Sequence, residues 1–173
     1  MRAGPAGLPA VMVVLLLLVG GVLADRPAVA REDDPECARW RKVFVAMPSG
    51  TLVVERTGKP PIRIPVKVAA TDEARWAGFQ CATVGEIRTT VILFDFGAEV
   101  LGSFHMRNVP APLDIAFVKA SGRVFSVLRM DPSPTREYGP MGAYRYAIEA
   151  GAGFFKDKGI APGHRVQLDE GSR

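Results

Sequence analysis

The chain has 173 residues and a formal charge of +4, a length that suits one domain of about 110–140 residues plus a targeting segment. Its pI of 9.3 comes from charges spread along the sequence, with no gathered block of like charge, so nucleic acid is not an expected partner. Two cysteines without a Cys-x-x-Cys arrangement leave a dithiol redox motif unsupported.

The N-terminus differs from the rest. Val11–Leu23 is apolar except for Gly20 and Gly21, and Arg2 is the only charge ahead of it. That run fits a signal-peptide core and falls short of the ~20 residues that span a bilayer. Small-x-small sites at Val22-Leu23-Ala24 and Ala28-Val29-Ala30 would leave a mature chain starting at Asp25 or Arg31. Residues 1–30 are therefore expected to be a cleaved signal peptide. The mature protein would be exported, periplasmic or extracellular, and free of the membrane. The alternative is an uncleaved helix over Leu8–Ala24 that anchors it. Cys37 follows Asp33-Asp34-Pro35-Glu36, which is no lipobox. The mature chain would carry 20 Lys+Arg against 17 Asp+Glu. Its Cys37 and Cys81 either form a disulfide or stand as independent thiols. A bridge across that span would stabilise the fold by roughly 3–4 kcal/mol.

Residues 25–36 are charged and contain Pro27 and Pro35, the composition of a mobile leader. Val43–Met47, a turn at Pro48-Ser49-Gly50 and Thr51–Glu55 predict a hairpin, so residues 31–61 form an N-terminal extension. Ile62–Val68 alternates cleanly, and Pro65 marks it as an edge strand or a broken one. A short helix follows, capped by Thr71 and closed by Gly78, with Trp76 or Ala77 turned inward. Strands are predicted at Val91–Phe96, Gly102–Asn108, Asp114–Lys119 and Arg123–Met130, with a two-residue turn at Ser121-Gly122 that Ala120 can widen. Tyr144–Glu149 alternates as a strand, Gly151–Lys158 reads as a second short helix, and His164–Leu168 as a last strand. Seven to nine strands, two short helices and no β-α-β alternation predict a mainly β single domain, a β-sandwich or distorted barrel, over residues 62–169.

The segment Phe104-His105-Met106-Arg107-Asn108-Val109, followed by Leu113-Asp114-Ile115-Ala116-Phe117, resembles the DUF192 (UPF0127) family, whose domains run Trp-Met-x-Asn-Thr and then Leu-Asp-Ile-x-Phe. Val66–Phe79, Leu93–Phe96 and Ala147–His164 resemble its other strands, helix and closing turn, so the likeness covers about residues 62–168. It implies a mainly β domain, often exported, and says little about activity. The chain departs from the family pattern at His105, which stands for a tryptophan, at Val109 for a threonine and at Gln80 for a methionine.

No residue set specifies a reaction, and no cofactor is implied. His105 lies in a predicted strand between Phe104 and Met106, with no second ligand at i+2 or i+4, so a hydrogen-bonded strand histidine is the plain reading. Asn108 and Asp114 bracket the Pro110-Ala111-Pro112 turn, where they can satisfy backbone N–H groups. With Glu149 they could instead anchor a small ligand. The expectation is a non-enzymatic module that binds a small molecule or an envelope protein through Phe104, His105, Met106, Asn108, Asp114 and Glu149. One alternative is a carbohydrate-acting hydrolase or lyase, with Asp114 paired to Glu149 or Asp131. Another is periplasmic copper handling by Met47, Met106, Met130, Met141 and His105.

Overall fold

The computed structural model describes residues 34–169, and the segment read as a signal peptide lies outside them. Asp34 caps helix α1 (Pro35–Ala46), its carboxylate accepting from the Glu36 N–H at 2.9 Å, and Pro35 occupies the first turn, where no donor is needed. Cys37, Trp40 and Phe44 share one buried face. Val43–Met47 is therefore helix and helix exit, not the first strand of a hairpin. Its residues have strand propensity, but Phe44 and Met47 continue the Cys37/Trp40 stripe, and burial of that stripe outweighs propensity.

The hairpin lies one element later. Strands β1 (Ser49–Arg56) and β2 (Lys59–Ala69) pair antiparallel around Thr57-Gly58. Ile64 and Val66 are buried and Ile62 and Val68 half-buried, as the alternation requires. β2 is not an edge strand, because it lies between β1 and β3 (Val91–Val100). Pro65 is tolerated because β3 pairs with β2 only at Lys67–Ala69, which leaves the proline an open side.

β2 and β3 run parallel, and a parallel pair needs a crossover. The crossover holds α2 (Asp72–Ala77) and α3 (Val84–Thr89), so the fold does contain one β-α-β unit. The Thr71 hydroxyl accepts from the Ala74 N–H at 3.2 Å at the start of α2, while Ala77 is buried and Trp76 is 56% exposed. Helix α3 is too short to show a period in the sequence; its signal is the capping box of Thr83 and Glu86.

The remaining elements are β4 (Phe104–His105), β5 (Leu113–Val118), β6 (Val124–Met130), β7 (Glu137–Tyr138), β8 (Tyr144–Gly151), α4 (Phe154–Asp157) and β9 (Arg165–Leu168). The strand expected over Gly102–Asn108 shrinks to two residues, because the chain turns at Arg107-Asn108, with Asn108 at φ 56. Seven strands form one sheet in the order β6-β5-β8-β3-β2-β1-β9, and β4 pairs with β7 apart from it. The mainly β expectation holds, with four helices rather than two among the described residues. The sheet curls until an isolated bridge, Arg123↔Arg165, ties its outer strands, yet it is not a closed barrel. Gly122 makes that closure feasible: it has φ 80, and a Cβ there would stand 2.5 Å from the Val166 carbonyl oxygen.

The two faces of the sheet carry separate cores. Leu52, Val54, Val66, Leu93, Ala116, Ile148 and Val166 fill the inside of the curl. Ile92, Phe94, Ile115, Phe117 and Ala147 face the other way, under α1, α2 and α3. No helix among the described residues is long and apolar enough to cross a membrane.

Candidate functional site

A cleft of about 590 Å³ opens on the helix-covered face of the sheet. Its walls are α2 with the Gly78–Gln80 turn, the outer half of β3, the Leu101–Val109 segment, and Tyr144 of β8. Glu149 forms part of the floor. Cross-strand register sets it opposite Ile92 on β3 and Ile115 on β5, both fully buried, so its carboxyl sits among hydrocarbon. The residue is 4% exposed, and its carboxyl hydrogen-bonds to no described residue. Burial pushes its pKa up to about 8, so the group is mostly protonated at neutral pH.

Gly78 keeps this carboxyl accessible. With φ 45 and ψ −129 the position suits glycine, and a Cβ would lie 3.6 Å from Glu149 Oε2 and 3.5 Å from Phe94 Cζ. The aromatic wall is a set of contacting rings, most of them edge-on, with Phe104 and Tyr144 tilted by 40°. Phe94 meets Phe104 at 5.1 Å between centroids, and Phe96 meets Tyr144 at 5.4 Å. Burial raises the Tyr144 phenol to about 12, and its hydroxyl bonds to no described group. His105 lies against Trp76 with ring centroids 5.8 Å apart and planes tilted by 36°, and its enclosed Nδ1 has no hydrogen-bond partner. Desolvation by burial, with Arg107 nearby, lowers the imidazole pKa and favours the neutral ring.

A second set of contacts fixes the rim. Gln80 is buried, its Nε2 donating to the Trp76 carbonyl at 2.6 Å and its Oε1 facing Asn108 Nδ2 at 3.5 Å. The Asn108 carbonyl accepts from the Cys81 N–H at 2.7 Å, and Cys81 is disulfide-bonded to Cys37 of α1. On the opposite rim the Ser103 hydroxyl bonds to the Glu137 carboxylate, which holds β4 against β7.

The proposed binding residues thus separate. Phe104, His105 and Glu149 line the cleft, whereas Met106 is 2% exposed and belongs to the core beneath it. Asn108 supports Gln80 from behind. Asp114 is elsewhere: it pairs in register with Ala150, and so points to the opposite face of the sheet from Glu149. An acid/base couple of Asp114 with Glu149 is ruled out by that alternation. Asp131 is exposed on the strand end beyond β6, pairs with Arg129, and is not in the cleft. Met47 and Met130 lie in the core with Met106, while Met141 is fully exposed. Among the described residues no three His, Cys, Asp or Glu side chains are grouped to hold a metal.

Asp114 has a structural task. Its Oδ2 accepts from the Gly153 N–H at 2.7 Å, and its Oδ1 lies 3.5 Å from Arg129. It therefore pins the entry to α4, not the Pro110–Pro112 turn and not Asn108. Asp114→Ala should cost about 1–3 kcal/mol by leaving that donor unpaired, and Asp114→Asn should recover part of it. Urea melts of the two variants measure this, and an unchanged midpoint for Asp114→Ala would refute the role.

Sequence reasoning missed Gly78, Phe94, Phe96 and Tyr144 as site residues, since a helix cap and apolar strand residues look the same in any core. The available signal was the set of departures from the family pattern: Gln80, His105 and Val109 all line the cleft.

The family model of DUF192, described as “Uncharacterized ACR”, matches residues 52–168. The chain belongs to the DUF192 family. The match begins inside β1, about ten residues ahead of the stretch over which the sequence motifs resemble the family. A structure from Sinorhizobium meliloti, provisionally described as a transcription regulator, is similar at 21% identity and a TM-score of 0.63, over 70% of this chain and 95% of that one. A protein of unknown function from Novosphingobium aromaticivorans is similar at 23% identity and a TM-score of 0.58, over 68% of this chain and 83% of its own. At these identities the likeness is one of fold. Among curated proteins no match is found.

Proposed function

We propose that this DUF192 domain is a non-enzymatic binding module for a small molecule that enters the cleft over Glu149. The observation that carries the reading is the Glu149 carboxyl, 4% exposed and hydrogen-bonded to no described residue, at the floor of a ring-lined cleft of about 590 Å³. Ligand sites are mostly apolar concavities with a few convergent polar groups, and a polar group buried without a partner destabilises a fold. A ligand in the cleft would complete the hydrogen bonding of Glu149 and Tyr144, which no described residue pairs. The other acids that line the cleft are engaged at its rim, Asp72 with Arg75 and Glu137 with the Ser103 hydroxyl, so neither is offered as the hydrolase partner of Glu149.

The same reading places the mature protein outside the cytoplasm. The apolar run with two cut sites supports export, and a Cys37–Cys81 bridge suits an oxidising compartment.

Native mass spectrometry of the protein isolated from its host tests both parts. The intact mass should place the N-terminus at Asp25 or Arg31, and a non-covalent adduct should leave on denaturation. Gly102 is exposed at the rim, where a Cβ would meet the Tyr144 hydroxyl at 3.3 Å. Gly102→Phe should fill the cleft and abolish the adduct. An adduct retained by that variant would move the binding site elsewhere, and a full-length chain in the membrane fraction would refute cleavage.

A further inference from the structure

The cleft has one polar group at its floor, a carboxyl, and no cation of the protein answers it. Burial pushes the Glu149 carboxyl up, and neither arginine of the rim is hydrogen-bonded or ion-paired to it. Arg75 is engaged elsewhere: its guanidinium donates to the Ala70 and Asp95 carbonyls at 2.6 and 2.7 Å, pairs with Asp72, and lies over Phe96. Arg107 is exposed and sits over Trp76 at 6.0 Å, facing solvent where its field is screened. The other charged or titratable groups around the cleft are Asp72 on α2, Glu137 on β7, neutral His105 on β4 and the Tyr144 phenol. Ring faces and a carboxylate both attract positive charge, and ring walls accommodate N-methyl groups better than they do a hydrated ion.

We infer that the cleft receives the head of an alkylated ammonium compound, its charge against the Glu149 carboxylate and its methyl groups against Phe94, Phe96, Phe104 and Tyr144. This rests on the binding-module reading and names the class of ligand for it. Binding displaces the Glu149 proton into solvent, so the complex pairs one carboxylate with one cation. A neutral ligand with a carbonyl acceptor would do the reverse and keep the proton, taking a hydrogen bond from it.

Choline and its uncharged isostere 3,3-dimethylbutanol separate the two. Choline has no titrating group, so any pH effect belongs to the protein. With Glu149 titrating near 8, choline should bind about tenfold more tightly at pH 9 than at pH 7, and release protons on binding at pH 7. His105 and Tyr144 stay neutral across that window, the first shifted below 6.5 and the second at about 12. Titration calorimetry in buffers of different ionisation enthalpy reads both quantities, with circular dichroism checking the fold at each pH. The isostere should bind about tenfold more weakly than choline, and Glu149→Gln, which keeps size and hydrogen bonding, should lose at least tenfold for choline and nothing for the isostere. If the isostere binds as well as choline, or binding weakens as pH rises, the cation class is wrong while the ligand module stands. If neither binds at millimolar concentration the cation class is also wrong, and the adduct experiment with Gly102→Phe then decides the module separately.

Discussion

Glu149→Gln should make the protein more stable at pH 8 and flatten its stability profile between pH 4.5 and 8. The sign follows from proton counts. A carboxyl raised from 4.5 to about 8 on folding keeps a proton that the unfolded chain has lost throughout that window. Stability then falls as pH rises, by about 1.4 kcal/mol per unit, is unaffected by this group below 4.5, and levels off above 8. Glutamine cannot ionise and is nearly the size of the protonated acid. The expected gain is about 2–4 kcal/mol at pH 8, since the buried amide remains short of partners, and close to zero at pH 5. Urea midpoints of the two proteins at pH 5 and 8 give the comparison. Equal midpoints at both pH values would mean that the carboxylate is ionised and solvated in the cleft, and would remove the basis of the proposed site. A residue whose replacement stabilises the fold while removing binding is the signature of a functional group held at a cost to stability. Glu86 has the opposite sign. Its hydrogen bonds to Arg41 hold it down near 2, so the stability it contributes is complete above pH 4.5 and lost as pH falls toward 2.

Removing the disulfide is the second change with a large expected effect. Cys37 and Cys81 are 44 positions apart, with Cα atoms 5.4 Å from one another, a separation that suits a bridge. The bond fastens α1 to the turn after α2, where Cys81 takes φ 58 and its N–H is held by Asn108. Cys37→Ser with Cys81→Ser should cost about 4 kcal/mol through the freed unfolded chain. Added reductant should lower the urea midpoint of the wild type by a comparable amount and leave the double variant unchanged. Thiol titration of the unfolded, unreduced protein should find no free thiol. A wild-type midpoint that ignores reductant would show that α1 is held by its Trp40 and Phe44 packing and by Arg39–Glu73 and Arg41–Glu86 without help from the bond.

Local chemistry determined much of this protein from the sequence alone. Period-2 alternation over Ile62–Val68 and Tyr144–Glu149, the Thr71 cap, the Ser121-Gly122 turn and the DUF192 motifs each depend on near neighbours, and each is legible without a fold. Tertiary structure decided the rest. Whether Val43–Met47 became strand or helix depended on what Phe44 packs against, which lies tens of residues away. Pro65 could enter an interior strand only because β3 begins to pair two residues later. Asp114 and Glu149 look alike as carboxylates on strands, but cross-strand register sends one to Gly153 and the other to the cleft floor. That register is set jointly by β3, β5 and β8, so no single segment encodes it. The charge state of Glu149 likewise belongs to Ile92, Ile115 and the rings around it, because desolvation comes from neighbours brought together by the sheet and not from the residue itself.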